Sequence, residues 1–169
     1  MRYAAVLLAV LCICDVRAST LPANLGTPNT GFVTANRVRL HYLDWGGNGE
    51  TILFLPGFND TAHVYDHFAP RFTDQFYVIG LTRRGVGESD KPPSGYDTGT
   101  RVEDIRQFLD TLGFSKVSLI GHSRAGDELT LFATRYADRV VKLVYLDAAY
   151  DRTPKAIWPD LPIPSTNPI

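Results

Sequence analysis

Gly121-His122-Ser123-Arg124-Ala125-Gly126 is the stretch whose residue types and spacing can do covalent chemistry. It follows an apolar run and opens an amphipathic one, the setting of a sharp strand-to-helix turn that lifts a serine Oγ clear of a parallel sheet. A serine held there can meet a carbonyl from above the sheet, as a nucleophile must. Small residues have to flank it, because the turn brings strand and helix backbones close together. Gly121 and Ala125 stand two before and two after, with Gly126 just beyond. The strict pattern has glycine where Ala125 stands, and one methyl is the smallest departure from it. The competing structural reading of Ser123 is a helix N-cap, whose hydroxyl accepts from the N2 or N3 amide.

Such a serine needs a base, and the four histidines are His41, His63, His67 and His122, none of which follows the serine's own turn. Adjacent residues at a strand end point to opposite sides. The ring of His122 is therefore expected toward the sheet's helix layer, as a packing or hydrogen-bonding group, with Ser123 toward the pocket. His63 and His67 lie four apart on an expected helix and share a face. That spacing could hold a metal, but no third ligand presents itself, and a surface or entrance face is the reading taken. His41, on an early hairpin, reads as structural. No cofactor or metal is implied.

The elements that must position these residues follow from periodicity. Gly31 to Trp45 reads as two short strands, with Val38, Leu40 and Tyr42 alternating against Arg39, His41 and Leu43. A Gly46-Gly47-Asn48-Gly49 cluster breaks the chain before Thr51 to Leu55, a compact apolar run typical of a strand buried on both faces. Pro56-Gly57-Phe58-Asn59-Asp60 then turns into an expected helix from Ala62 to Phe72. Phe76 to Leu81 is the next buried strand, followed by a loop rich in glycine and charge in which Arg84 and Asp90 are expected to hold the turn. Thr98 or Thr100 can cap a helix with Val102, Ile105, Phe108, Leu109 and Leu112 on one stripe, stopped by Gly113. Lys116 to Ile120 leads into the serine turn, Arg124 to Ala137 is the helix behind it, and Val140 to Leu146 is one more buried strand. This alternation implies right-handed crossovers and an α/β fold, a mainly parallel sheet with flanking helices, with the leading pair as an antiparallel edge.

Length and composition fit one ordinary globular domain: 169 residues, 44% hydrophobic and 21% charged. A formal net charge of −1 gives no reason to expect nucleic acid or an anionic membrane surface as a partner. Residues 1–18 read as a cleaved signal peptide, with Arg2 as the positive start, Ala4 to Ile13 as the apolar stretch and Val16-Arg17-Ala18 as the cleavage site. The apolar run falls short of the roughly 20 residues of a spanning helix, so no membrane span is expected; a buried core helix or short anchor is the competing reading. Cys12 and Cys14, the two cysteines, fall in this segment, so a mature chain from Ser19 would have no thiol. Residues 19–152 are the expected domain. Residues 153–169, with Pro154, Pro159, Pro162, Pro164 and Pro168, have no regular period and read as a loop or the start of a further segment.

From Gly31 to Arg152 the residues resemble the first half of an α/β-hydrolase. Leu55-Pro56-Gly57-Phe58 stands where that family has its His-Gly oxyanion loop, with Pro56 in the histidine's place. Arg84-Gly85-Val86-Gly87-Glu88-Ser89-Asp90-Lys91-Pro92 resembles the Arg-Gly-x-Gly-x-Ser segment after the next strand. Gly121 to Gly126 matches the elbow, Leu143 to Asp147 the strand after it, and Tyr96-Asp97 the helix entry. The resemblance implies Ser123 as nucleophile and the backbone amides of Phe58 and Arg124 as oxyanion donors, each worth about 10²–10³ in rate. Phe58 reads equally as an apolar pocket wall, and the Arg124 side chain as a rim group. Asp147, at the carboxyl edge of the last strand, is a candidate triad acid, with a loop-capping aspartate as the competing reading.

The family normally continues through a lid, further strands, an acid and a late histidine. The expectation is therefore a partial fold lacking the C-terminal strands and lid, from a truncated chain, a decayed one, or one completed by a second polypeptide. An exported serine hydrolase acting on a small-molecule ester or acyl substrate is the expected activity, nearly inert in this chain alone. The alternative is a non-catalytic binding or partner-dependent subunit on the same scaffold. A serine nucleophile argues against dehalogenase and epoxide-hydrolase chemistry, which look for aspartate at that place.

Overall fold

The computed structural model describes residues 26–148, so the expected leader and the proline-rich tail lie outside the described residues. Six strands form one sheet in the order β1-β2-β4-β3-β5-β6: β1 Asn29–Ala35, β2 Val38–Gly46, β3 Glu50–Leu55, β4 Phe76–Leu81, β5 Val117–His122 and β6 Val140–Leu146. β1 and β2 pair antiparallel, β2 runs antiparallel to β4, and the pairs among β4, β3, β5 and β6 are parallel. The mainly parallel sheet with an antiparallel leading edge is thus the observed one. Asn36 and Arg37 make the tight β1–β2 turn with positive φ, 48° and 65°. That is the hairpin geometry whose twist suits paired strands.

Side chains alternate across the sheet and divide the core. Leu53, Leu55, Ile79, Leu81, Val117 and Leu119 pack on one face with Val102, Ile105, Phe108, Leu129 and Phe132 of two helices, α1 Thr98–Thr111 and α2 Ala125–Arg135. Ile52, Phe54, Val78 and Ile120 point to the other face, against Tyr65 and Ala69. Asp97, rather than Thr98 or Thr100, caps α1: its carboxylate accepts from the Thr100 amide at 2.9 Å and from the Thr100 hydroxyl at 2.6 Å.

Ala62 to Phe72 is not one helix. It forms two 3₁₀ turns, Ala62–Tyr65 and Ala69–Phe72, closed by short-range bonds such as Phe68 N–H to Tyr65 C=O at 2.8 Å. Pro70 explains the break, because its ring has no N–H and clashes with the carbonyl four residues back. β6 also departs from the buried strand expected of it. It is the edge of the described sheet, and Val141 and Val144 are exposed. Among the described residues no helix is long and apolar enough to cross a membrane.

Candidate active site

Two loops meet where the chain reverses its winding direction. β3 leads to β4 on one side of the sheet, while β5, on the other side of β3, leads to β6. Ligands in open α/β sheets bind at such a switch point, outside the carboxyl ends of the strands. Leu55 pairs with Gly121 in register there. Phe58 follows Leu55 by three residues and Ser123 follows Gly121 by two, so both emerge over the same crevice.

Ser123 has φ of +51°, left-handed backbone in a residue with a side chain. Such a conformation costs on the order of 1–3 kcal/mol and persists only where the surroundings over-determine it. Here they do. The Ser123 amide donates to Leu146 C=O at 3.2 Å, and its carbonyl accepts from the Gly126 amide at 3.0 Å. A Cβ on Gly121 would lie 2.8 Å from the Ala125 methyl and 2.6 Å from Leu129, so glycine is required on the strand side of the turn. On the helix side it is Gly126, not Ala125, that admits no side chain, since a Cβ there would come 1.8 Å from the Ala148 carbonyl oxygen. The Ser123 hydroxyl makes no hydrogen bond among the described residues, and it does not cap α2.

Phe58 is 72% exposed, and the Arg124 guanidinium sits 5.7 Å over its ring. Neither the Phe58 nor the Arg124 amide donates to an acceptor among the described residues. The Phe58 loop is anchored from behind by a buried cation. Arg83 donates from Nη1 to Gly57 C=O at 2.9 Å and from Nε to both Glu128 oxygens at 2.8 and 2.7 Å. Glu128 is buried on α2, and Arg101 Nε also lies 3.3 Å from it. One carboxylate thus ties the loop after β3 to the helix behind Ser123. Arg83, Arg101 and Arg124 all line a cavity of about 200 Å³ beside Phe58 and Tyr96. Four arginines, Arg83, Arg84, Arg101 and Arg124, thus stand around the cavity, and their positive charge suits an anionic or strongly polar group.

Residues 50–164 match the family described as alpha/beta hydrolase fold, more than half of the chain. This chain belongs to the α/β-hydrolase family. It is 35% identical over 112 residues to a soluble epoxide hydrolase from Corynebacterium sp. (strain C12), covering 66% of this chain and 39% of the relative. With an N-formylmaleamate deformylase from Pseudomonas putida the identity is 33% over 119 residues, 69% of this chain and 44% of the relative. Among solved structures, wild-type Cfl2 from Burkholderia cenocepacia superimposes with a TM-score of 0.71 at 29% identity, covering 88% of this chain and 48% of that one. This chain therefore spans about two fifths of the length of these curated relatives.

The fold brings none of the four histidines of this chain into hydrogen-bond contact with Ser123. His122 is exposed, on the face that carries Ile120, and its Nδ1 would lie 2.8 Å from a Cβ on Gly57. The packing role expected for it is corrected on this point: among the described residues the two 3₁₀ turns on this face pack chiefly on β4, β3 and β2, and His122 at the end of β5 stays exposed. His67 is exposed as well, and His41 is buried. Asp147 is exposed, with φ of +47°, and follows the His122–Leu146 pair on the same rung as Ser123. Arg84 and Asp90 do hold the loop after β4, but not to each other. Arg84 pairs with Asp104 on α1, while Asp90 accepts from the Arg39 amide at 2.7 Å. The Arg83–Glu128 tie escapes a reading of the sequence. Its one signal is a charged residue at 128 on the stripe that 125, 129 and 132 make apolar.

Proposed function

We propose that this chain carries the nucleophile and oxyanion amides of an exported hydrolase of small ester or acyl substrates. The observation that carries the reading is the left-handed backbone of Ser123 at the β5–α2 turn. It holds the hydroxyl outward over the switch point, in a conformation that an N-cap does not need. Ser123 Oγ attacks the carbonyl carbon, and the carbonyl oxygen becomes an oxyanion between the Phe58 and Arg124 amides. Collapse expels the alcohol, which takes up the serine's proton, and water then attacks the acyl-serine to release the acid. Export rests on the leader-like residues 1–18.

A serine decides between acyl and epoxide substrates. A carboxylate that opens an epoxide makes an ester, which water can cleave. A serine oxygen would make an ether with no carbonyl for water to attack, so the reading stays with acyl transfer, although an epoxide hydrolase is among the relatives. None of His41, His63, His67 and His122 hydrogen-bonds Ser123 among the described residues, and Asp147 is the candidate to orient the proton acceptor. A site without a triad member retains about 10³–10⁴-fold catalysis over water.

Labelling the 169-residue chain with a fluorophosphonate tests this. Slow labelling that disappears in Ser123→Ala is expected. Fast labelling at Ser123 would show that a base is present after all, and equal labelling of Ser123→Ala would remove the serine from the role.

A further inference from the structure

Away from Ser123, three side chains from separate elements converge beside β2. One ligand-capable atom each from His41, His63 and Glu88 lies within 4.8 Å of the others. His41 stands on β2, His63 on the first 3₁₀ turn and Glu88 in the loop after β4. His41 is 1% exposed, and its Nδ1 is hydrogen-bonded to Thr82 Oγ1 at 2.9 Å. That hydroxyl oxygen also accepts from the Ala62 amide at 3.0 Å, fixing the ring from behind. The other ring nitrogen, Nε2, is buried with no hydrogen-bond partner among the described residues. A buried polar atom left unpaired forfeits its hydration without a compensating bond.

His63 repeats the arrangement. Its Nδ1 is bonded to Asp66 Oδ2 at 2.9 Å, and its ring stacks on that of His41, centroids 5.7 Å apart and planes 28° from parallel. In both rings the far nitrogen is held and Nε2 remains. Histidines that bind metals are oriented in this way, with the other ring nitrogen on a carboxylate or another polar group.

We propose that His41, His63 and Glu88 bind a divalent transition-metal ion of the zinc type. Two imidazoles, one carboxylate and a water are a zinc ligand set. Tetrahedral ligands at about 2 Å from zinc lie roughly 3.3 Å from one another. The exposed side chains of His63 and Glu88 can close that gap, while His41 is fixed by its burial. Arg39, stacked on the Phe32 ring that abuts His41, opposes a cation, and Glu88 offsets it. His67, the partner that helical spacing assigns to His63, takes no part. The ion would join β2, the turn that follows the Phe58 loop, and the loop after β4.

The test uses the tag-free full chain with Cys12 and Cys14 changed to serine, since those thiols bind zinc in their own right. Zn²⁺ is titrated against a chromophoric chelator, and thermal unfolding is followed with and without the metal. One ion per chain and a midpoint raised by about 5 °C or more are expected. His63→Gln and Glu88→Gln should each weaken binding at least tenfold. Asp66→Asn should do so by about 10–100-fold, and His67→Gln should leave it unchanged. Binding weaker than millimolar would overturn the proposal, as would parental affinity in His63→Gln or Glu88→Gln, or loss of the ion in His67→Gln. His63, His67 and Glu88 are exposed and Asp66 is half-buried, so the decisive His63→Gln, Glu88→Gln and His67→Gln outcomes do not turn on a change in the core.

Discussion

Gly126 lies so close to Ala148 that a Cβ on it would come 1.8 Å from the Ala148 carbonyl oxygen. The first turn of α2 is thereby pressed onto the chain leaving β6, and the backbone of Ser123 is caught between them. Gly126→Ala should therefore destabilise the fold by about 3 kcal/mol, because backbone rather than a movable side chain blocks the new methyl. Thermal unfolding should show a midpoint lower by roughly 10 °C. Ala125→Gly, which restores the strict motif, should cost only about 1 kcal/mol. Equal effects of the two would show that Gly126 is not held by this contact.

The oxyanion reading separates the Phe58 amide from its ring. Phe58→Ala keeps the N–H and removes an exposed side chain, so stability should move by less than about 0.5 kcal/mol and fluorophosphonate labelling of Ser123 should persist. Phe58→Pro removes the donor, and the labelling rate should fall by about 10²-fold. Comparing the two rates decides whether backbone or ring matters.

Arg83→Met leaves the buried Glu128 carboxylate with Arg101 as its remaining partner and frees the Gly57 carbonyl. Removing one member of a buried pair costs about 3–5 kcal/mol. In urea unfolding, Arg83→Met combined with Glu128→Leu should lose less than the sum of the single variants, since the two side chains share one interaction. Strict additivity would argue against the tie.

Glu103 on α1 is bonded by Arg106, with further hydrogen bonds from Gln107 and from the Tyr136 hydroxyl, which hold its carboxyl at about 2. A carboxylate depressed in the folded state contributes stability above its unfolded value of 4.5, and that contribution disappears as pH falls from there through about 2. Glu103→Gln should thus lower the urea midpoint at pH 7 and flatten its decline between pH 4.5 and 2. A decline as steep as the parent's would assign it to other groups.

Much of the site is legible in the sequence because its signals are local. The apolar runs at 51–55, 76–81 and 117–120 span only a few residues each, and the glycine pattern around Ser123 reports a turn whose contacts lie within the motif. Ala125 makes a weak match only because the glycine that the packing demands is one position further on. Pro70 is equally local but is outweighed by an apolar helical pattern, although its missing N–H divides the segment. The orientation of His122 depends on which face of β5 the neighbouring turns cover, and strand alternation alone does not carry that information.

The sequence by itself determined the order and type of most elements, the hairpin, and the turn that presents Ser123, since these follow from backbone sterics and side-chain periodicity within short windows. Tertiary structure decided which distant residues meet. It set Arg83 between Gly57 and Glu128, Arg84 against Asp104 rather than Asp90, and His41 beside His63 and Glu88. Pairings across tens of residues depend on how strands are ordered in the sheet and which face each element covers, and no local spacing encodes either.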